Sequence, residues 1–152
     1  MNRKVMTIEK AKSKLPIKEG FRILSFIFAA ILVSACSSTI NFPNSQVVPA
    51  AEAKLKVEKN DNNNFELELD VENMAQPDRL TPARRNYVVW METESHGTIN
   101  IGNLRINRKN SGELRAVTPY KPIRVFITAE DRQDAITPST QVVLNSEEFD
   151  AD

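Results

Sequence analysis

Ala51-Glu52-Ala53-Lys54-Leu55-Lys56-Val57-Glu58 and Phe65-Glu66-Leu67-Glu68-Leu69-Asp70-Val71-Glu72 decide the fold class. In both runs apolar and polar residues alternate with period two, which sends one set of side chains to each face of a β-strand. Between them lies Asp61-Asn62-Asn63-Asn64, made of residues that tolerate left-handed turns. The pattern predicts a hairpin with one buried and one wet face. On the wet face Lys54 and Lys56 are expected to oppose the carboxylates of the second strand. The same acidic row, with Asp61, is the one stretch that suggests calcium. Calcium ligands converge from a loop and include backbone carbonyls, whereas these carboxylates are spaced along a strand, so no metal site is expected.

Toward the C-terminus the turn signals recur at short intervals. Pro77 to Asn86 is a polar connection. Tyr87-Val88-Val89-Trp90-Met91 reads as a central strand buried on both faces. Ser95-His96-Gly97 turns the chain, and Thr98 to Ile106 forms a strand with Gly102 as a bulge or twist point. After the loop Asn107 to Gly112, strands follow at 114–117, 123–129 and 141–144. Seven short strands without a helical period predict an all-β, immunoglobulin-like antiparallel β-sandwich over residues 50–145, with Tyr87, Trp90 and Phe126 in its core. Tyr120, just before the sixth strand, is either a corner tyrosine of such a fold or an ordinary half-buried loop aromatic. Residues 146–152 read as an acidic, mobile tail.

The N-terminal part has a different composition. Seven of the 20 basic and two of the 20 acidic residues lie in 1–35, leaving residues 36–152 with 13 basic and 18 acidic groups, a net charge of −5. A mildly acidic domain argues against nucleic acid as a partner, because phosphate binding needs clustered cations. The basic segment ends at Arg22, and an uncharged run from Ile23 to Val33 leads to Ser34-Ala35-Cys36. This run is shorter than the about 20 residues a membrane span needs. Basic start, short apolar middle and small-residue exit are the parts of a secretory signal. Leu32-Val33-Ser34-Ala35-Cys36 resembles the lipobox of bacterial lipoproteins. The resemblance implies that residues 1–35 are a signal peptide, that Cys36 becomes the lipidated N-terminus, and that its acyl chains hold the protein in a membrane. Ser37 follows Cys36 in place of the Asp that resembles an inner-membrane retention signal, so an outer membrane facing the periplasm is the expected location in a two-membrane cell. The Ser-, Asn- and Pro-containing stretch 36–49 reads as a flexible tether.

Chemistry is sparse. Cys36 is the only cysteine and His96 the only histidine, so neither an intrachain disulfide nor a Cys- or His-rich metal cage is possible. No Gly-rich phosphate loop or paired-His metal motif is present. Ser95 beside His96 is a poor start for a catalytic triad, since neighbours on a turn diverge. No catalytic residue, cofactor or metal is expected, and the protein reads as no enzyme. Arg79, Arg84 and Arg85, with His96, form the expected partner-binding loop surface. The expected partners are the membrane, through the lipid, and a protein or glycan of the envelope. A structural subunit of an envelope complex or surface appendage is the alternative.

Across residues 87–144 the chain carries Tyr87-x-x-Trp90-Met91, Gly97, Ile101-Gly102-Asn103-Leu104, Ile127-Thr128-Ala129-Glu130-Asp131, Pro138-Ser139-Thr140 and Val142-Val143-Leu144. This order resembles the extracytoplasmic β-sandwich domain of sigma-K-type anti-sigma factors. Arg132-Gln133-Asp134 stands where that family has a Gly-Gly turn, and the lipobox where it has a membrane span. The resemblance therefore implies the fold and a sensing or partner-binding role outside the cytoplasm, and not sigma-factor inhibition.

Overall fold

The computed structural model describes residues 38–151; the expected signal peptide 1–35 and Cys36 lie outside the described residues. Among the described residues the chain forms eight strands, no α-helix and one turn of 3-10 helix at Pro77–Arg79. The strands are β1 Ser38–Asn41, β2 Glu52–Lys59, β3 Phe65–Glu72, β4 Asn86–Thr93, β5 Gly97–Leu104, β6 Gly112–Thr118, β7 Pro122–Glu130 and β8 Val142–Asn145. They build two sheets of four, ordered β1-β2-β3-β6 and β5-β4-β7-β8, antiparallel throughout. The two inner faces share one core. This is the expected immunoglobulin-like sandwich, with one strand more than the sequence pattern indicates.

The hairpin that decided the fold class is in the expected register. Leu55 opposes Leu69 and Val57 opposes Leu67 on the buried face, while Lys54 opposes Asp70 and Lys56 opposes Glu68 on the wet one. Asn63, in the loop, takes the left-handed conformation at φ 59°. Each aliphatic side chain buried here contributes about 1.5–3 kcal/mol relative to exposure, so a one-residue slip that turned the row outward is excluded.

Strand β4 is buried on both faces, and its two faces enter different cores. Tyr87, Val89 and Met91 point between the sheets with Val125, Ile127 and Ala129 of β7. Val88 and Trp90 lie on the outer face with Phe126, in a second cluster. Trp90 opposes Phe126 in the register and stacks on it at 6.4 Å between ring centroids. The chain between β7 and β8 covers this face: Ala135 packs on the cluster, and Asn100 Nδ2 donates to the carbonyls of Gln133 and Ala135 at 3.3 and 2.9 Å. Tyr87, Trp90 and Phe126 are all buried, as expected of core residues. The sequence leaves open which face of β4 meets the other sheet, because a strand apolar on both faces gives no sign of it, and Trp90 and Phe126 fill the outer cluster.

The two terminal segments differ from expectation. Residues 38–41, read as tether, form β1 on the edge of β2, with Ile40 opposite Leu55. Ile40 and Phe42 pack against the core, and Val48 and Ala51 are buried in it. Ser45 fastens the stretch between: its hydroxyl donates to the Val143 carbonyl at 2.5 Å and accepts the Val47 and Val48 amides. Residues 146–151, read as a mobile tail, are docked. Ser146 is buried and its hydroxyl accepts the Val125 amide, the Phe149 amide donates to the Ile123 carbonyl, and Ala151 is buried. In both segments two or three apolar residues among many polar ones make the decisive contacts, and a composition average hides them.

Gly102 stands opposite Val89 where the register shifts, with φ 145°, and a Cβ there would meet Leu114 Cδ1 at 2.9 Å. That positive φ is what calls for glycine here, since the Leu114 tip could move aside.

Candidate functional site

Antiparallel strands of about eight residues separate the loops into two ends, roughly 25 Å apart at ~3.3 Å per residue. One end holds the β2–β3 loop, the β4–β5 turn, the β6–β7 turn and the C-terminal segment. Ser38 pairs with Val57, two residues before the end of β2, so β1 starts toward this same end. The other end holds the β1–β2 stretch, the long β3–β4 connection, the β5–β6 loop and the start of the β7–β8 connection.

This division separates the expected binding residues. His96 lies in the β4–β5 turn at the first end, whereas Arg79, Arg84 and Arg85 lie in the β3–β4 connection at the second. His96 Nδ1 is 2.7 Å from the Ser95 hydroxyl, and its ring lies against Tyr120 at 3.9 Å between centroids. Ser95 and His96 therefore do meet, contrary to the expected divergence. The contact is exposed, and among the described residues no carboxylate holds the ring. Tyr120 is a half-exposed loop aromatic seated on His96.

The arginines divide equally clearly. Arg84 is tied to Asp131 at 2.6 Å and its Nε donates to Gln141 Oε1 at 3.0 Å, so it braces the loops. Arg115 pairs with Glu68 and Glu113, Arg124 with Glu148 and Glu92, and Arg132 with Asp134. Arg79, Arg85, Arg105 and Arg108 are exposed and have no carboxylate partner among the described residues. All four belong to the second end. Arg105 and Arg108 were not singled out in the sequence, since the β5–β6 loop brings them beside the β3–β4 connection only in the folded chain.

Arg79 and Arg108 line one open cleft of about 520 Å3 with Gln76, Ile106 and Asn110. Its walls are joined by hydrogen bonds: Gln76 Nε2 donates to the carbonyls of Ile106 and Asn107 at 3.2 and 3.1 Å, and the Met74 amide donates to the Asn110 carbonyl at 2.9 Å. Asn107 organises its own loop, its side-chain oxygen accepting the Lys109 and Ser111 amides, and Asn110 adopts φ 62°. On the other wall Met74 and Leu80 are buried, and the Tyr87 hydroxyl donates to the Ala75 carbonyl at 2.9 Å. Burial, and after it the charge of Asp78, pushes the Tyr87 phenol up to about 12, so this hydrogen bond persists at all physiological pH. A larger cleft of about 670 Å3 runs along β8, but its arginine, Arg124, is already paired with Glu148.

Matched against models of known protein families and against curated proteins, the chain finds no counterpart. Four residues far apart in sequence meet above β7. The Trp90 indole N–H donates to Thr128 Oγ1 at 2.7 Å, the Thr128 hydroxyl donates to Glu130 Oε1 at 2.5 Å, and the Ser139 amide donates to the same oxygen at 2.7 Å. Trp90, Thr128 and Glu130 are buried, and this chain fixes the β7–β8 connection over the second core.

The acidic row of β3 is engaged as surface decoration. Glu66 accepts from Asn60 Nδ2 and Glu68 pairs with Arg115. Partial burial, then the neighbouring charges of Glu113 and Glu68, raises the Asp70 carboxyl above its usual range. Among the described residues no three His, Cys, Asp or Glu side chains are grouped to hold a metal, and no helix is long and apolar enough to cross a membrane.

Proposed function

We propose that the protein is an envelope lipoprotein whose β-sandwich binds a partner without catalysis, held at the membrane by lipid on Cys36. The observation that carries this reading is how close in sequence the first described strand lies to Cys36. Strand β1 starts at Ser38, two residues after Cys36, so at ~3.8 Å per Cα step the anchor is within about 8 Å of the sandwich. A short link of this kind gives the domain an orientation. The end with the β2–β3 loop, His96 and Tyr120 faces the lipid, and the end with Arg79 and Arg108 faces away, where a partner can reach it. The hydrogen-bonded walls of that far cleft favour binding, since a preorganised surface loses little entropy on association. The exposed Ser95–His96 pair, with no carboxylate behind the ring, lacks the constellation of an acyl-transfer site.

Mass spectrometry of the membrane-extracted protein tests the anchor. The expected product lacks residues 1–35 and begins with acylated Cys36, and Cys36→Ser is expected to leave the protein uncleaved or release it. An intact Met1, or a soluble product with a free thiol, overturns the reading.

A further inference from the structure

We propose that the end of the sandwich carrying Arg79, Arg85, Arg105 and Arg108 binds a carboxylate-bearing polysaccharide, seated on the cleft between Arg79 and Arg108. The inference rests on the proposed location outside the cytoplasm and adds the ligand class to it.

Three observations converge on this surface. The first is the distribution of ion pairs. Four of the eight arginines in the described residues have carboxylate partners, and the four that have none all stand at one end. Lys109 adds a fifth exposed cation in the same loop as Arg108. Asp78 and Glu72 stand at this end too, but the five exposed cations outnumber them in an otherwise acidic domain, and a local positive field attracts anions whatever the net charge. The opposite end carries Asp61, Glu94, Glu147, Glu148 and Asp150, of which Glu148 and Asp150 are paired with Arg124 and Lys121.

The second observation is rigidity. Arg79 and Arg108 sit on different connections, yet Gln76 and Met74 bind those connections together through three hydrogen bonds. The spacing of the two guanidinium groups is therefore set by folded backbone and not by two independent loops. Planar guanidinium donors match carboxylates in paired geometry.

The third observation is the cleft's composition and shape. Two guanidinium groups, the amides of Gln76 and Asn110 and the apolar Ile106 form an open trough. Gln76 spends its N–H donors on the carbonyls of Ile106 and Asn107, which leaves its side-chain oxygen as an acceptor for a hydroxyl. Alternating acceptors, cationic donors and one apolar patch suit a sugar ring bearing hydroxyls and a carboxylate. The trough is too open to enclose a small ligand, and cations spread beyond it on Arg85, Arg105 and Lys109 suit a polymer with repeated charge.

The test uses the full chain purified in detergent. Its probes are polygalacturonate, with one carboxylate per sugar, neutral dextran and a double-stranded DNA. Binding to polygalacturonate is expected, weakening steeply with salt, while dextran stays unbound and DNA binds at least tenfold more weakly. Arg79→Glu with Arg108→Glu should lower polygalacturonate affinity at least tenfold and flatten its salt dependence. Arg115→Glu, a paired arginine on the outer face of the first sheet, should leave it within about twofold. Both arginines of the double variant are exposed and make no ion pair among the described residues, and an unchanged melting curve verifies that it folds. No salt-sensitive binding to polygalacturonate, equal binding of dextran or DNA, or a double variant that binds like wild type each overturns the proposal. The lipid state of the wild type separates the two readings: unlipidated protein that still binds polygalacturonate refutes the anchor and keeps the site. Lipidated protein that ignores polygalacturonate does the reverse.

Discussion

Thr128→Val probes the second core at its centre. Valine keeps the branched shape of threonine and removes only the hydroxyl, which at this position is fully buried. That hydroxyl accepts the Trp90 indole N–H at 2.7 Å and donates to Glu130 at 2.5 Å. Its loss leaves a buried indole donor without an acceptor, at a cost of about 1–3 kcal/mol. The Glu130 carboxylate also loses one charge-assisted hydrogen bond, but the Ser139 amide still donates to it at 2.7 Å, so this second loss is partial. Together the two effects amount to about 2–4 kcal/mol, a large part of a total stability of about 5–15 kcal/mol. At roughly 3–5 °C per kcal/mol for a domain of this size, the melting temperature should fall by about 6–20 °C. Thermal unfolding followed by circular dichroism, with Trp90 as the chain's single tryptophan reporting the site by fluorescence, measures it. The coupling is tested by repeating the substitution in a Trp90→Phe background. Phenylalanine has no N–H to orphan, so Thr128→Val should cost at least about 1 kcal/mol less there. A single-variant loss below about 1 kcal/mol, or costs that add within about 0.5 kcal/mol, refutes the hydrogen-bonded chain as the element that secures the β7–β8 connection.

Two predictions concern pH. The Tyr87 phenol is raised from 10.0 to about 12 in the folded protein by burial first and Asp78 second. A folded value above the unfolded one means stability is fully present below about pH 10 and is lost as pH rises from 10 toward 12. Tyr87→Phe should remove the step near pH 12 from an ultraviolet tyrosine titration and lessen that alkaline loss; Tyr87 ionising near pH 10 in folded protein contradicts it. Asp70 is raised from 3.8 by partial burial, then by Glu113 and Glu68, so its ionisation disfavours the folded state and the cost appears as pH rises above 3.8. Asp70→Asn should raise stability at neutral pH by less than about 0.5 kcal/mol, as surface substitutions do, with the gain vanishing in acid; destabilisation at neutral pH in denaturant titration counts against it.

The sequence disclosed the sandwich because its evidence is local. Leu55 and Leu69 sit in alternating runs, and alternation dictates a face whatever the rest of the chain does. Three other features depend on contacts between residues far apart in sequence, and they stayed hidden. Strand β1 holds through Ile40 opposite Leu55, four residues being too few to show a period. Trp90 required a choice between two buried faces, and what settles it is the covering by Ala135, forty-five residues on. The cationic end follows the same logic. Arg79 and Arg85 were visible as part of a basic loop, but Arg84 in that loop is consumed by Asp131, and Arg108 joins Arg79 only because Gln76 reaches the carbonyls of Ile106 and Asn107. A run of charges in a sequence is thus an inventory of groups, and pairing decides which of them remain for a ligand. Here pairing withdraws Arg84, Arg115, Arg124 and Arg132 and leaves four arginines that all stand at one end, while the position of β1 ties the opposite end to the proposed anchor. The same strand arrangement then relates both halves of the proposed reading: antiparallel strands of about eight residues hold these cations roughly 25 Å from the end nearest the proposed lipid anchor.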